Sequence, residues 1–153
     1  MDSAVKPTPP DFIERVRFWL LCIIVIGLLG TVTELVLLKH YEQPLQYVPL
    51  VLIGALFGVL GWHGLARNGA SLQAMKIVCG LFVVSGFLGM SAHFHGSAEF
   101  QRELNPTIGL WDLMEKILHA QAPPLLAPGM MLQLGLLGLA YVLSDAKFRN
   151  GKS

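Results

Sequence analysis

Charged side chains are scarce in this sequence. Asp, Glu, Lys and Arg make up 14% of the residues, against about 25% in ordinary soluble domains. A water-facing surface cannot be covered from so small a polar stock, which excludes a soluble globule. Cysteine is nearly absent too. Cys22 and Cys79 stand alone, no Cys-x-x-Cys occurs, and neither a dithiol relay nor a zinc cage can be built from them. Both read as small apolar packing residues. Neither charge sign is in excess: the net charge is +1 and the pI is near 7.8, which leaves no basic patch for a nucleic acid. A Gly-rich phosphate loop, a nucleophile elbow and a Ser-His-Asp order are also missing. No catalytic residue and no resident cofactor is therefore assigned.

What is present is apolar and comes in runs. Hydrophobic residues make up 54% of the chain. No Asp, Glu, Lys or Arg occurs from Phe18 to Thr33, Tyr47 to Ala66, Ile77 to Ala92 or Ala120 to Ser144. A helix needs about 20 mainly apolar residues to cross roughly 30 Å of hydrocarbon, and backbone facing lipid must satisfy its own hydrogen bonds. The sequence thus predicts an all-α fold in one domain, residues 1–153: a four-transmembrane-helix bundle with spans at 16–38, 47–66, 72–94 and 122–144. The third span reaches full length if Lys76 snorkels from its end. Arg15 and Arg17 precede the first run as they would in a signal peptide. That run continues through Thr31, Glu34 and Leu38 without an Ala-x-Ala site, so it reads as a retained helix.

The basic residues set an orientation. Lys6, Arg15, Arg17, Arg67, Lys76, Lys147, Arg149 and Lys152 fall on one side, and Lys39, Arg102 and Lys116 on the other. The positive-inside bias places both termini in the cytoplasm and the chain in the inner (cytoplasmic) membrane as a multi-pass protein. Within the long outer loop, Ile108, Leu110, Trp111, Leu113, Met114, Ile117 and Leu118 recur with helical spacing opposite a polar stripe. A short amphipathic helix over 106–119 follows, with Pro106 in its first position. Trp111 would anchor it in the outer interface; the alternative is a lid packed on the helix ends.

Glycine pairs at Gly27/Gly30, Gly54/Gly58/Gly61, Gly86/Gly89 and Gly135/Gly138 give every span a close-approach patch, favouring a compact bundle. The halves echo one another: Gly27–Gly30 leads to Glu34 as Gly86–Gly89 leads to His93. This suggests a parallel two-plus-two duplication with Glu34 and His93 at matching depth, although Gly and Leu are common enough here to produce the echo by chance.

Polar chemistry collects on the outer side. Glu34 is the one formal charge within an apolar run, where an ionised carboxylate costs a few kcal/mol unless paired, protonated or wetted. Around it fall His40, Glu42, His93, His95, Glu99, Glu103, Asp112, Glu115 and His119. Imidazole and carboxylate together suit a divalent transition metal, and Glu34, His93, His95, Glu99 and His40 are the candidate ligands. His93 and His95, two residues apart, point in different directions, and no Glu-x-x-His spacing occurs. His63 lies near the other end of the second span and reads as an interfacial pair with Trp62.

Thr33–Glu42 with Gln46 and Pro49-Leu50, then Gly96 with Glu99-Phe100 and Glu103, then Ala122–Gly129 running to Gly135–Leu139, resemble a family of short bacterial four-helix integral membrane proteins. The resemblance covers about residues 15–145 and implies the architecture; no activity, cofactor or partner comes with it. The composition and motifs together suggest a non-enzymatic membrane subunit or accessory factor with a His/Glu-rich outer face. Its partners would be the bilayer and other subunits, or a second copy of itself. A metal site near Glu34 and His93, or an oligomeric transporter of ions or small solutes, are the alternatives.

Overall fold

The computed structural model describes residues 9–39, 41–42, 44–119 and 126–145. In chain order it contains α1 (Pro9–Leu37), a single 3₁₀ turn (Pro44–Gln46), α2 (Tyr47–Ala66), α3 (Gly69–Leu104), α4 (Leu110–Leu118) and α5 (Leu126–Leu143). The fold is all-α, with no strand among the described residues. Helices α1, α2, α3 and α5 are long and apolar enough to cross a membrane, the reading expected of uncharged runs of this length.

Two left-handed residues punctuate the chain. Lys39 (φ 50°) ends α1 and Arg67 (φ 42°) ends α2, the Arg67 N–H reaching back to the His63 carbonyl. The next residue starts α3: the Asn68 side chain accepts from the Ser71 N–H at 2.8 Å, satisfying one of the orphan donors of a helix start. This tight turn, the N-terminal end of α1 and the C-terminal end of α5 share one end of the bundle, here the terminal end. The 3₁₀ turn and α4 occupy the other, the loop end.

The core is stitched by α3 and α5. Leu72, Met75, Cys79 and Phe82 of α3 and Met131, Leu134, Tyr141 and Val142 of α5 form its centre, joined by Ile24, Leu28 and Leu35 of α1 and by Ile53 and Leu56 of α2. The α3 residues recur at alternating steps of three and four, the seam of a left-handed helix pair. Glycine lets this seam close. A Cβ on Gly86 would lie 2.8 Å from the Leu132 backbone nitrogen, and one on Gly135 would lie 2.8 Å from the Cys79 carbonyl oxygen. Lipid is as apolar as leucine, so close van der Waals contact has to supply the attraction between spans. Helix α1 packs on α5, with the Leu134 side chain filling the space beside Gly27. Helix α2 packs on α3, and α1 and α2 meet only sparsely.

Three expectations are corrected by this arrangement. Glycine patches do not serve all four spans: Gly30, Gly54, Gly58 and Gly61 have nothing within 4 Å of an added Cβ. The halves are not equivalent, because the α3–α5 hairpin is the tightest contact while the α1–α2 hairpin is open. Pro106 is not the first residue of the amphipathic helix. The Asn105 side chain accepts from the Thr107 N–H at 3.3 Å and its hydroxyl at 3.0 Å, which holds Pro106 in a turn, and α4 starts only after Gly109.

Helix α3 has 36 residues and is roughly 54 Å long at 1.5 Å per residue, more than the roughly 30 Å of hydrocarbon. Its last turns carry α4, whose Leu113 and Ile117 bury against Phe94, Ala98 and Ile108 in a small separate cluster.

Candidate functional site

The loop-end half of the bundle carries a half-open cavity of about 790 Å³. It exists because the α3 face turned towards it is built of small residues. Ser85, Gly89, Ala92 and Gly96 follow one another at helical steps of four, three and four, and all four line the cavity. A Cβ on Gly96 would meet nothing within 4 Å. Facing this stripe are Leu45, Gln46, Val48, Pro49 and Leu52 from the 3₁₀ turn and α2, while α5 supplies Pro128 and Met131 and α1 supplies Leu35. The walls are chiefly aliphatic. Polar groups are few: Gln46, His93 and Ser97 towards the loop end and Ser85 deeper in. The Gln46 Oε1 accepts from the Glu42 N–H at 2.8 Å, which fixes the amide at the rim. No Asp, Glu, Lys or Arg is among the described lining residues, so the cavity offers hydrogen bonds and apolar contact rather than charge.

Of the sequence-predicted residues, His93 belongs to this cavity. Glu34 does not line it, although its neighbour Leu35 does. Glu34 is half-buried near the end of α1, and among the described residues no hydrogen bond or ion pair joins its carboxyl to His93. The expected pair is absent because glycine contacts direct both helices onto α5: Gly86 and Gly89 of α3 face Pro128 and Leu132, and Gly27 of α1 faces Leu134. Thr31, about one turn before Glu34, donates to the Gly27 carbonyl at 2.8 Å and is satisfied within its own helix.

His95 and Glu99 stand on the exposed side of α3. The His95 Nδ1 lies 2.8 Å from the Ser91 carbonyl oxygen and the His119 Nδ1 lies 3.0 Å from the Glu115 carbonyl oxygen. A carbonyl only accepts, so Nδ1 carries the proton in both rings, leaving Nε2 as the acceptor in the neutral form. Among the described residues no three His, Cys, Asp or Glu side chains gather closely enough to hold a metal ion. His40 lies outside the described residues. Trp111 projects from α4 with 86% of its surface exposed and Leu110 with 70%.

The terminal end holds a polar network that the sequence reading missed. Arg17 of α1 forms an ion pair with Asp145 at 2.7 Å, both side chains mostly buried. It also donates to the Tyr141 carbonyl at 2.8 Å and to the Ser144 hydroxyl at 3.3 Å, with its guanidinium 4.2 Å from the Tyr141 ring centre. Tyr141 in turn meets His63 of α2 edge-on at 6.0 Å. His63 Nδ1 lies 2.8 Å from the Ser71 hydroxyl of α3. That hydroxyl donates to the Asn68 carbonyl at 2.8 Å, so His63 is the donor to Ser71. The expected His63–Trp62 pairing is thereby corrected. His63 turns inward at 8% exposure while Trp62 faces out, because adjacent residues diverge by about 100° around a helix. The Asn68-x-x-Ser71 cap is legible in sequence; Arg17 and Asp145 carry no such signal, being at opposite ends of the chain.

No family model matches the chain, and neither a curated protein nor a solved structure matches it.

Proposed function

We propose that this chain is a non-enzymatic multi-pass protein of the bacterial inner membrane, a subunit or accessory factor that docks another membrane-protein subunit through its outer face. The observation carrying this reading is α4. The helix is held to α3 by Leu113 and Ile117, yet it turns Leu110, Trp111 and Leu118 away from the bundle. Exposed aromatic and aliphatic side chains on a braced helix are the composition of an interface centre. In this reading the loop end faces outward and the termini face the cytoplasm, as the distribution of Lys and Arg favours.

A photo-crosslinking amino acid in place of Trp111 tests the docking. In intact cells it should give one discrete protein adduct that co-purifies in fixed ratio, and Leu118→Glu should remove it. Adducts to lipid alone would leave Trp111 as an interfacial anchor and overturn the docking role.

Orientation has its own test. In a variant with Cys22 and Cys79 replaced by alanine, a cysteine at Glu103 should react with a membrane-impermeant maleimide in intact cells. One at Gly151 should react only after lysis; labelling of Gly151 before lysis reverses the assignment.

A further inference from the structure

We infer that His95 and Glu99 of α3 form half of a zinc site, closed by the same two residues of a second copy of this chain. This goes beyond the docking role and rests on different residues. The uncharged run of α3 ends at Ala92, and the helix continues to Leu104, past what roughly 30 Å of hydrocarbon can hold. His95 and Glu99 are both exposed on this outer stretch, where aqueous ions reach them. They stand at positions i and i+4 of the helix, so their Cβ atoms lie about 5–6 Å apart on one face. From that spacing an imidazole and a carboxylate can both reach one ion at about 2.0–2.2 Å.

The second observation is how the His95 ring is held. Its Nδ1 donates to the Ser91 carbonyl at 2.8 Å, with the Ser91 hydroxyl 3.4 Å away. Metal-binding histidines are held in the same way: one ring N–H is fixed by a carbonyl or carboxylate, which sets the tautomer and leaves the other nitrogen to the ion. In His95 that nitrogen is Nε2, which meets no hydrogen-bond partner among the described residues. The Glu99 carboxylate also has no hydrogen bond or ion pair among the described residues, and Arg102, exposed on the next turn, is not paired with it.

One chain cannot finish the site. Glu103 lies two helical turns beyond His95, roughly 12 Å along the axis, too far to share its ion. Among the described residues no third His, Cys, Asp or Glu gathers with the pair. Structural zinc takes four ligands in a tetrahedron. Two copies inserted the same way up in a bilayer and paired symmetrically share a two-fold axis along the membrane normal, which sets each residue of α3 at the same height as its counterpart. Two imidazoles and two carboxylates then complete the shell, and the carboxylates balance the charge of one Zn²⁺. Glu115 and His119 repeat the spacing and the Nδ1–carbonyl bond, but His119 is the cap residue that ends α4. Helix α3 is continuous with the core, and rigid elements hold ligands more accurately than their ends do.

The test uses the full chain without an affinity tag, in detergent micelles, titrated with Zn²⁺ and then with Co²⁺ as a spectroscopic stand-in. Saturable uptake of one zinc ion per two chains, removed by EDTA, is the expected result, with the intense visible bands of tetrahedral cobalt. The ratio decides the question whether zinc assembles the pair or enters one already formed. Loss of an outer-shell partner alone costs about 10–100-fold in metal affinity, so His95→Ala and Glu99→Gln should each weaken binding about 100-fold or more. Both residues are exposed, and detergent unfolding curves of the two variants should match the parent chain. His119→Ala should bind as the parent does. One ion per chain would overturn the shared site, and the absence of saturable uptake would overturn the site altogether. Binding that survives His95→Ala, or is lost in His119→Ala, would overturn the assignment to α3.

Discussion

Gly135→Leu is expected to break the bundle, lowering its stability by roughly 3 kcal/mol or more, the upper range for overpacked cores. A Cβ at this position would stand 2.8 Å from both the Cys79 carbonyl oxygen and a Val83 methyl, and 2.9 Å from the Val83 backbone nitrogen. Two of these three atoms are backbone and cannot rotate aside. Relief requires α5 to move off α3, and that separation opens the main seam of the core. Even Gly135→Ala introduces the same Cβ and should cost about 1–3 kcal/mol. Gly58→Leu is the matched control, because an added Cβ there meets nothing within 4 Å, and it should change stability by less than about 0.5 kcal/mol. Unfolding in mixed micelles with increasing denaturing detergent measures all three. Equal loss at Gly58 and Gly135 would mean that the α3–α5 seam is not what glycine is there to permit.

The second large effect is expected at Arg17. Its guanidinium ties α1 to the last turn of α5 through Asp145, the Tyr141 carbonyl and the Ser144 hydroxyl. Removing one partner of a buried pair costs about 3–5 kcal/mol. Here the side chains of Arg17 and Asp145 keep 14% and 17% of their surface exposed, so water recovers part, and Arg17→Ala should cost roughly 2–3 kcal/mol. Arg17→Lys keeps the charge but loses the fork and the flat face over Tyr141; about 1 kcal/mol is the expected loss. Arg17→Met combined with Asp145→Leu should be more stable than Arg17→Ala alone, since it removes both charges from the low-dielectric end of the bundle. The same detergent titration decides this, and a double variant no better than the single one would show that the ion pair is not the important term.

These two sites differ in how far the sequence announced them. Glycine pairs were visible as close-approach patches, and Gly86 and Gly135 do serve that purpose. Nothing in the spacing told them apart from Gly54 and Gly58, which have the same helical periodicity and face open space. Periodicity says which residues share a face, and only the neighbouring helix says whether that face is occupied. His63 illustrates the same gap. Its partners Ser71 and Tyr141 come from α3 and α5, eight and 78 residues away along the chain, and its inward orientation depends on both being in place.

By itself the sequence determined that the chain is helical, that four of its helices have the length and apolar character to span a membrane, and that an amphipathic helix precedes the last of them. Those properties are local: uncharged runs need only their own length to satisfy their backbones in lipid, and the polar and apolar stripes of α4 need only a period near 3.6. Tertiary structure decided which helices touch. It set α5 between α1 and α3, kept Glu34 from His93, and joined Arg17 to Asp145. It also left the small face of Ser85, Gly89, Ala92 and Gly96 looking into a cavity. The physical reason is that no hydrophobic drive sorts one apolar helix from another in lipid. Pairing is settled instead by shape, by where glycines let two backbones meet and where larger side chains hold them apart, and that complementarity belongs to pairs of helices rather than to any single stretch of chain.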